Sequence, residues 1–316
     1  MLLRIAWRNI WRNKTRTFVI VTAIALGLWG GIFSTAFMNG MTEQQISSTI
    51  HTETGHIQLN AKNFLLNHDI LQDIPNADSI AAIIRKIPGV AAVSPGIQIM
   101  AMAATATSST GIMINAVDPL QQKKVSDLYR HLIQGNYFDK DEDNPIVIGQ
   151  QLADKLNVKI HSRIVMTLQT TEGDITYGAF KVTGIFRTHN SDFDKTSVFV
   201  RRSDLQRLIN FPETAASAIT VLLNNTDDTK AITAQLQKQF SGLQVQSWQQ
   251  LSPMMQVMSG AMQQFSLIFV GIILIALAFG IINTMLMAVL DRTRELGMLR
   301  SIGMSPRKVF TMIILE

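Results

Sequence analysis

Side chains that could catalyse a reaction or bind a metal are thinly spread in this 316-residue chain. It has no cysteine, which excludes thiol catalysis, disulfides and cysteine-based zinc sites. It contains no GxxxxGKS/T loop for nucleotide phosphates, no HExxH zinc motif and no GxSxG nucleophile turn. The histidines have no metal-like spacing, and we interpret all six as surface or satisfied residues: His51, His56, His68, His131, His161 and His189. The chain is therefore predicted not to be an enzyme and to hold no cofactor or metal.

Acidic residues form one cluster that we consider as a possible metal site. A weak calcium site is conceivable there, but a run of neighbouring carboxylates is more commonly a solvated loop, and we favour the loop. The cluster consists of Asp139, Asp141, Glu142 and Asp143. Asp192 and Asp194 receive the same interpretation as solvated loop residues.

The most informative spacing lies in residues 291–308, where charges of both signs alternate with apolar residues. Leu296, Leu299 and Ile302 recur at helical spacing, which predicts a helix with one apolar face. Gly303 is predicted to end that helix, and Ser305 occupies an N-cap position before Pro306. A short amphipathic helix of this kind could dock into a groove of a soluble protein, whereas the alternative is an ordinary connecting loop.

Two long apolar segments must position this helix. Residues 17–42 carry no charge, and a second apolar run covers residues 265–290. Both are long enough for a membrane helix, which needs about 20 residues. Residues 1–16 carry five positive charges and no negative one, and residues 291–316 are also net basic. This positive-inside pattern predicts that both ends face the cytoplasm and that residues 43–264 lie outside. It also argues against nucleic-acid binding, because no basic stripe exists away from the two segments.

The first 16 residues are patterned as well. Arg4, Arg8 and Arg12 recur every four residues and share a helical face, beside a face that carries Trp7 and Trp11. We predict an amphipathic helix in the cytoplasmic headgroup layer, with a frayed basic flank as the alternative. The first span is too long for a signal-peptide core, so we interpret it as an uncleaved anchor.

The two apolar segments predict a helix-packing face and an apolar cleft. Gly27 and Gly31 have the spacing at which two membrane helices approach closely. Neither span contains a charged residue that would indicate a proton relay. Apolar residues near the outer ends could line a cleft for acyl chains, although ordinary helix packing is the alternative. These predicted cleft residues are Phe33, Phe37, Met258, Met262 and Phe265.

The polar segment at residues 43–264 predicts an α+β domain of two lobes, with residues 119–211 as an inserted lobe. Glu172, Gly173 and Asp174 predict a hairpin turn. Strands are predicted at residues 55–59, 90–93, 100–107, 111–117, 145–149, 164–170, 175–186, 197–200, 219–223 and 243–247. Helices are predicted at residues 79–87, 150–156, 203–209 and 228–240.

Three patches of the sequence resemble one family. Residues 294–305 (RELGMLRSIGMS) are similar to the stretch after the second span in permeases of the lipoprotein-release and macrolide-exporter family of ABC transporters. Residues 6–17 (AWRNIWRNKTRT) and 146–153 (IVIGQQLA) resemble other parts of such permeases, in the same order. The N-terminal patch and residues 54–57 (TGHI) favour the lipoprotein-release branch.

The resemblance implies four membrane helices, so residues 309–316 are expected to begin a third span and the chain to be part of a longer protein. It implies an ABC ATPase dimer that binds ATP and magnesium, and a second permease copy or a sister permease. Residues 291–308 would be the cytoplasmic coupling helix and turn. The residues expected to contact the ATPase are Arg294, Glu295, Leu296, Met298, Leu299, Arg300, Ile302 and Gly303.

The function implied is mechanotransmission in a bacterial inner membrane. ATP hydrolysis in the partner would move the periplasmic domain, which would release a lipoprotein or another amphiphilic substrate to a periplasmic carrier. The alternative within the family is an efflux permease that works with a periplasmic adaptor and exports drugs, toxins or peptides. A cell-division regulator also fits the family. A two-span sensor fits less well, because the residues after the second span turn back towards the membrane.

Overall fold

The computed structural model describes residues 14–67, 69–138, 143–291 and 293–315. It divides into two compact units. One comprises the described residues of Met1–Glu43 and Val257–Glu316, and the other is Gln44–Gln256. The amphipathic helix predicted at residues 1–16 falls outside the described residues except for its last three positions.

The elements follow a simple order, with helices at both ends and strands between them. The helices are α1 Lys14–Thr49, α2 Phe64–Asn67, α3 Ala77–Ile84, α4 Pro119–Val125, α5 Gln150–Leu156, α6 Ser191–Thr196, α7 Arg202–Ile209, α8 Thr229–Gln239, α9 Trp248–Leu251, α10 Pro253–Asp291, α11 Thr293–Ser301 and α12 Pro306–Leu315. The strands are β1 Ile57–Ala61, β2 Val90–Ala104, β3 Ser109–Val117, β4 Leu132–Gly135, β5 Pro145–Gly149, β6 Arg163–Gln169, β7 Ile175–Phe186, β8 Ser197–Arg201, β9 Ala218–Leu223 and β10 Leu243–Ser247.

Two helices are long and apolar enough to cross a membrane, judged by length and composition alone: Val21–Thr54 and Pro253–Met287. Each is longer than the roughly 20 residues that a bilayer core requires. In the first helix the charge-free stretch ends before Glu43, and the residues from Gln44 onward belong to the other unit. The predicted membrane segment at residues 17–42 lies within α1, and its bounds stay a prediction.

Small residues let α1 and α10 approach closely, as the glycine spacing predicted. A Cβ atom added at Gly27 would lie 2.9 Å from Cδ2 of Leu277, and one at Gly31 would lie 3.1 Å from Cδ1 of Ile273. Gly30, between them in sequence, has nothing within 4 Å of the same position. The predicted packing face at Gly27 and Gly31 is thus confirmed.

Ten strands of the described residues form one sheet in Gln44–Gln256. Its path runs β10-β1-β9-β2-β3-β8-β5-β7-β4, and β6 pairs with both β2 and β7. Because β2 pairs with β3 and β6, the six strands β2, β3, β8, β5, β7 and β6 close into a ring. The predicted hairpin at Glu172–Asp174 joins β6 to β7, which pair from Arg163↔Lys181 to Gln169↔Ile175.

Two main hydrophobic cores fill this unit. One lies under β1, β9 and the start of β2, where α3 and α8 contribute Ala81 and Leu236. The other fills the ring and includes Ile97 and Ile114 together with Phe180. The mixed α/β class is as predicted. Residues 119–211 share their core with β2 and β3, and their description as an inserted lobe stays a prediction.

The predicted strands and helices agree with the structure to within a few residues, with one exception. The sequence predicted separate strands at 90–93 and 100–107, but β2 runs unbroken from Val90 to Ala104. Pro95 and Gly96 lie at its centre, where pairing passes from β9 to β3. β2 tolerates this dipeptide because its pairing with β9 ends here and its pairing with β3 begins here, so neither set of strand hydrogen bonds continues through both residues.

The helical path of α1 ends in a π-helical turn at Ile50–Thr54. The Gly55 N–H closes this turn by donating to the Ile50 carbonyl at 2.9 Å. Gly55 has φ +68°, and a Cβ atom there would lie 2.5 Å from Cγ2 of Thr220. Glycine is therefore required for both backbone conformation and space at the point where the helix meets the sheet.

Candidate functional site

The segment after α10 forms a short helix, a tight turn and a second helix. At the end of α11 the Gly303 N–H donates to the Arg300 carbonyl and the Met304 N–H donates to the Leu299 carbonyl, both at 3.1 Å. Gly303 has φ +97°. This pattern is a Schellman motif with glycine in the left-handed position. The Ser305 carbonyl then accepts from the Val309 N–H at 3.2 Å, so Ser305 begins α12 as predicted.

The apolar residues of this segment fall into two groups. Leu296 and Leu299 are half-buried within the chain. Met298 and Ile302 are 59 % and 78 % exposed, and Arg294 and Glu295 are also exposed. The sequence predicted that Leu296, Leu299 and Ile302 share one apolar face, and a partner contact through these residues stays a prediction. Arg300 and Gly303 are exposed as well.

A groove of about 400 Å³ runs between α1 and α10 within their unit. Its lining is mainly apolar, with Thr35 and Asn39 as polar members. Thr35 donates its hydroxyl to the Gly31 carbonyl at 2.9 Å, so its polar atom is already satisfied inside the helix. The groove lies beside the glycine contact and is lined by Leu28, Gly31, Ile32, Thr35, Ala36, Asn39, Val270, Ile273 and Leu274.

None of the five predicted cleft residues lines this groove. Phe33 and Phe37 are more than half exposed and stack on each other, with ring centroids 6.2 Å apart. Trp29 continues the stack, 5.6 Å from Phe33. Met258, Met262 and Phe265 lie on α10 at intermediate to high exposure. A shared cleft made of these residues stays a prediction.

The structure corrects the interpretation of one acidic residue. Asp194 is only 2 % exposed, and its carboxylate accepts the backbone N–H and the hydroxyl of Thr188. Asp192 is exposed, as predicted, but it lies in α6 and not in a loop, and it pairs with Lys195 at 3.2 Å. Asp139, Asp141 and Glu142 lie outside the described residues, as does His68. Among the described residues, no three His, Cys, Asp or Glu side chains are grouped for a metal ion.

His56 is a satisfied histidine, as predicted, but it is also deeply buried. Nδ1 accepts the Leu223 N–H at 3.2 Å, and Nε2 lies 3.0 Å from the Thr226 hydroxyl. Burial, together with the neighbouring His51, lowers the pKa of His56 from 6.5 to about 4. This ring is therefore neutral at ordinary pH and holds β9 against the start of β1.

One contact was not predicted from the sequence. The side chains of Glu53 and Asn190 form a hydrogen bond, although the two residues are 137 positions apart in the chain. No periodicity or motif links the two positions, so only the tertiary fold reveals the pair.

Family comparison decides the class of this chain. A family model described as the MacB-like periplasmic core domain matches residues 17–239, more than half of the chain. The chain belongs to the MacB-like permease family. A second model, the FtsX-like permease C-terminal, matches residues 267–316 and so includes the segment around α11. The resemblance to this family of ABC transporter permeases is confirmed.

Curated relatives agree with this assignment. The chain is 22 % identical over 314 residues to the lipoprotein-releasing system transmembrane protein LolC of Neisseria meningitidis serogroup B, covering 95 % of this chain and 72 % of that protein. It is 22 % identical to the LolC protein of Xylella fastidiosa over 315 residues, covering 96 % and 73 %. A shorter match, 46 % over 54 residues, joins it to the ABC transporter permease YtrF of Bacillus subtilis.

Solved structures give distant matches. The periplasmic region of MacB from Actinobacillus actinomycetemcomitans is 15 % identical, covers 67 % of this chain and 98 % of that one, and has a TM-score of 0.44. The extracellular domain of the noncanonic ABC-type transporter YknZ from Gram-positive bacteria is also 15 % identical, with coverages of 61 % and 99 % and a TM-score of 0.41.

Proposed function

We propose that this permease is the membrane subunit of a transporter that releases lipoproteins from a bacterial inner membrane. The observation that carries the proposal is the near-full-length similarity to proteins named as LolC of the lipoprotein-releasing system. In this proposal both ends of the chain are cytoplasmic and Gln44–Gln256 is periplasmic, in keeping with the basic flanks of the two spans. A separate ATPase dimer binds ATP and magnesium, and a second permease copy or a sister permease completes the membrane part.

The proposed ATPase contact is the exposed side of α11 and its turn. Met298 and Ile302 offer apolar contact there, and Arg294 and Glu295 offer charges that would orient a partner. The Schellman turn at Gly303 fixes the direction in which Ile302 is presented. Leu296 and Leu299 are half-buried in this chain, so they would add less apolar contact area than Ile302.

Transmission to the periplasmic unit would follow the membrane helices. α1 is unbroken from Lys14 to Thr49, and α10 from Pro253 to Asp291. An unbroken helix resists bending better than a loop, so a tilt at one end reaches the other. Neither apolar segment contains a charge, which fits a role in moving domains and not in conducting ions.

A first experiment tests the partners. The full-length protein is purified in mild detergent and everything bound to it is identified by mass spectrometry. An ATPase together with a lipoprotein supports the proposal. An ATPase with a periplasmic adaptor and no lipoprotein favours the efflux alternative, with which the match to the MacB-like domain is also consistent. The absence of any ATPase would refute the transporter assignment.

A second experiment tests the contact. Ile302→Asp places a charge in the proposed apolar contact. We expect the ATPase to bind this variant at least about tenfold more weakly than wild type, since contact residues of this kind contribute about 1–2 kcal/mol or more. Leu120→Asp is the matched control, because Leu120 is 74 % exposed on α4 in the other unit. Equal ATPase binding by the two variants would contradict the proposed contact.

A further inference from the structure

Three methionines lie together on the outer face of the six-stranded ring, and we call them the methionine cluster. Met100 and Met102 occupy alternate positions of β2 and are 60 % and 49 % exposed, whereas Ala101 between them faces the core of the ring. Met113 of β3 is half-buried, and both of its chain neighbours face the same core. Because strand residues alternate between two faces, all three methionine side chains lie on the side of β2 and β3 that is away from this core.

The strand register makes these methionines neighbours. Met100 is the cross-strand partner of Met113, and Met102 follows two positions along β2. Residues directly opposite in an antiparallel pair have Cβ atoms about 5 Å apart, and diagonal neighbours are about 7–8 Å apart. The next pair on the same face shows that side chains meet here, because the Gln98 amide donates to Oδ1 of Asn115 at 3.2 Å. Methionine has about three rotatable side-chain bonds, so the three sulfurs can converge on one point above the sheet.

The positions paired with the methionine cluster hold no charged residue among the described strands. Met102 pairs with Gly111 of β3 and with Thr167 of β6. Met113 pairs on its other side with Ser197 of β8. Calcium and magnesium require oxygen ligands, commonly carboxylates, and zinc takes Cys, His, Asp or Glu. Thioether sulfur instead selects soft ions such as Cu(I), so the ligand type of this cluster indicates a soft metal ion.

Hydrophobic burial does not account for the methionine cluster. Methionine is among the residue types most often buried, and strands are enriched in β-branched and aromatic residues. An apolar surface for another protein would also expose such side chains, but it requires no sulfur. The sequence contains no cysteine, so methionine is the only sulfur-bearing residue with which it can bind a metal ion. A role that depends on sulfur can therefore be tested in the full chain without competing thiols.

We propose that Met100, Met102 and Met113 form a binding site for one soft monovalent metal ion, Cu(I) or Ag(I). The three thioether sulfurs are the protein ligands, and the face beyond them is open to solvent. A thioether has no proton to release, so binding at this site does not change between about pH 5.5 and 8, where a histidine site would titrate. This inference goes beyond the proposed function and does not depend on the substrate of the permease.

The test is a titration of the full chain in lipid nanodiscs with silver nitrate in chloride-free buffer. Ag(I) is the probe because it has the charge and the soft character of Cu(I) and needs no reducing agent. Binding is followed by NMR of methionine methyl groups labelled with carbon-13 and assigned with single Met→Leu variants. The methyl signals of the methionine cluster should shift together and saturate at one ion per chain.

Leucine variants test the sulfur itself. Met100→Leu removes one sulfur but keeps an apolar side chain of similar volume, so the strand should stay folded. It should weaken Ag(I) binding at least about tenfold, because the loss of a group that only supports a ligand already costs about 10–100-fold in metal affinity. Met254→Leu is the matched control, since Met254 is 80 % exposed on α10 and outside the cluster. This control should bind Ag(I) at the cluster as wild type does.

Four outcomes would overturn the proposal. The first is a set of shifts confined to other methionines, such as Met254 and Met258 of α10, which would place the ion elsewhere. The second is undiminished Ag(I) binding when all three cluster residues are replaced by leucine. The third is binding that is lost as the pH falls from about 8 to about 5.5, which would identify histidine as the ligand. The fourth is a wild type that binds no Ag(I), which would leave the cluster an apolar docking surface.

Discussion

Gly149 offers the sharpest steric test of the periplasmic unit. It ends β5 and begins α5 with φ −70° and ψ 149°, a backbone conformation that any residue can adopt. An added Cβ atom, however, would overlap the carbonyl oxygen of Asp194 and lie 2.6 Å from its carbonyl carbon and Cα. These are backbone atoms, so no side-chain rotation relieves the contact. The requirement for glycine is therefore one of space.

The magnitude follows from what must move. Asp194 cannot shift freely, because Thr188 holds its carboxylate through its backbone N–H and, at 2.8 Å, through its hydroxyl. Overpacking that side chains can absorb costs about 1–3 kcal/mol. Here a backbone segment must yield, and we expect Gly149→Ala to cost about 3 kcal/mol or more. In a domain of about 150–250 residues each kcal/mol lowers Tm by about 2–4 °C, so the expected loss is about 6–12 °C.

The assay is thermal unfolding of the full chain in detergent, followed by tryptophan fluorescence. Trp248 lies in this unit and is 5 % exposed, so unfolding changes its environment strongly. Gly242→Ala is the matched control, because a Cβ atom there meets nothing within 4 Å. That control should change the free energy of unfolding by less than about 1 kcal/mol, in either direction. If Gly149→Ala unfolds within about 1 °C of Gly242→Ala, the steric reasoning is wrong.

Two further variants test the membrane contact and the buried histidine. Gly27→Leu should destabilise the packing of α1 on α10 by about 1–3 kcal/mol, because its Cβ atom would lie 2.9 Å from Cδ2 of Leu277. Gly30→Leu is the control and should be nearly neutral, since nothing lies within 4 Å of its Cβ position. Equal Tm values for the two variants in detergent would refute this reasoning. His56 has a pKa of about 4 in the folded protein against 6.5 in the unfolded chain. Its contribution to the free energy of unfolding is therefore complete above pH 6.5 and is lost as the pH falls towards 4. At about 1.4 kcal/mol per pKa unit, this contribution is up to about 3 kcal/mol. The difference in unfolding free energy between wild type and His56→Gln should therefore vary over that range, and a constant difference would refute this reasoning.

Local pattern sufficed for most of the fold. The alternating strands of the β6–β7 hairpin and the apolar spacing of α7 are decided by neighbours within a few residues, and these predictions were confirmed. The glycine pair at Gly27 and Gly31 and the stop at Gly303 were also readable, since each reports a local need for space or a positive φ. Family membership followed from short patches in a fixed order.

Contacts between distant parts of the chain were not readable. The ring of six strands depends on β2 changing partners at Gly96, and the sequence instead suggested two strands there. Spacing could not show that Ile302 is more exposed than Leu299, because burial depends on contacts with other elements. The groove between α1 and α10, which forms where small residues leave space, was not predicted either, and the cleft of apolar residues stays a prediction.

By itself, the sequence determined the class of protein, because charge-free apolar segments with basic flanks favour a bilayer and a polar segment of balanced charge favours water. The tertiary structure alone decided that Asp194 is buried, that Glu53 meets Asn190, and that Gly149 has no room for a methyl group. Hydropathy and period are properties of neighbouring residues, whereas burial and pKa depend on groups that the fold brings together from different parts of the chain.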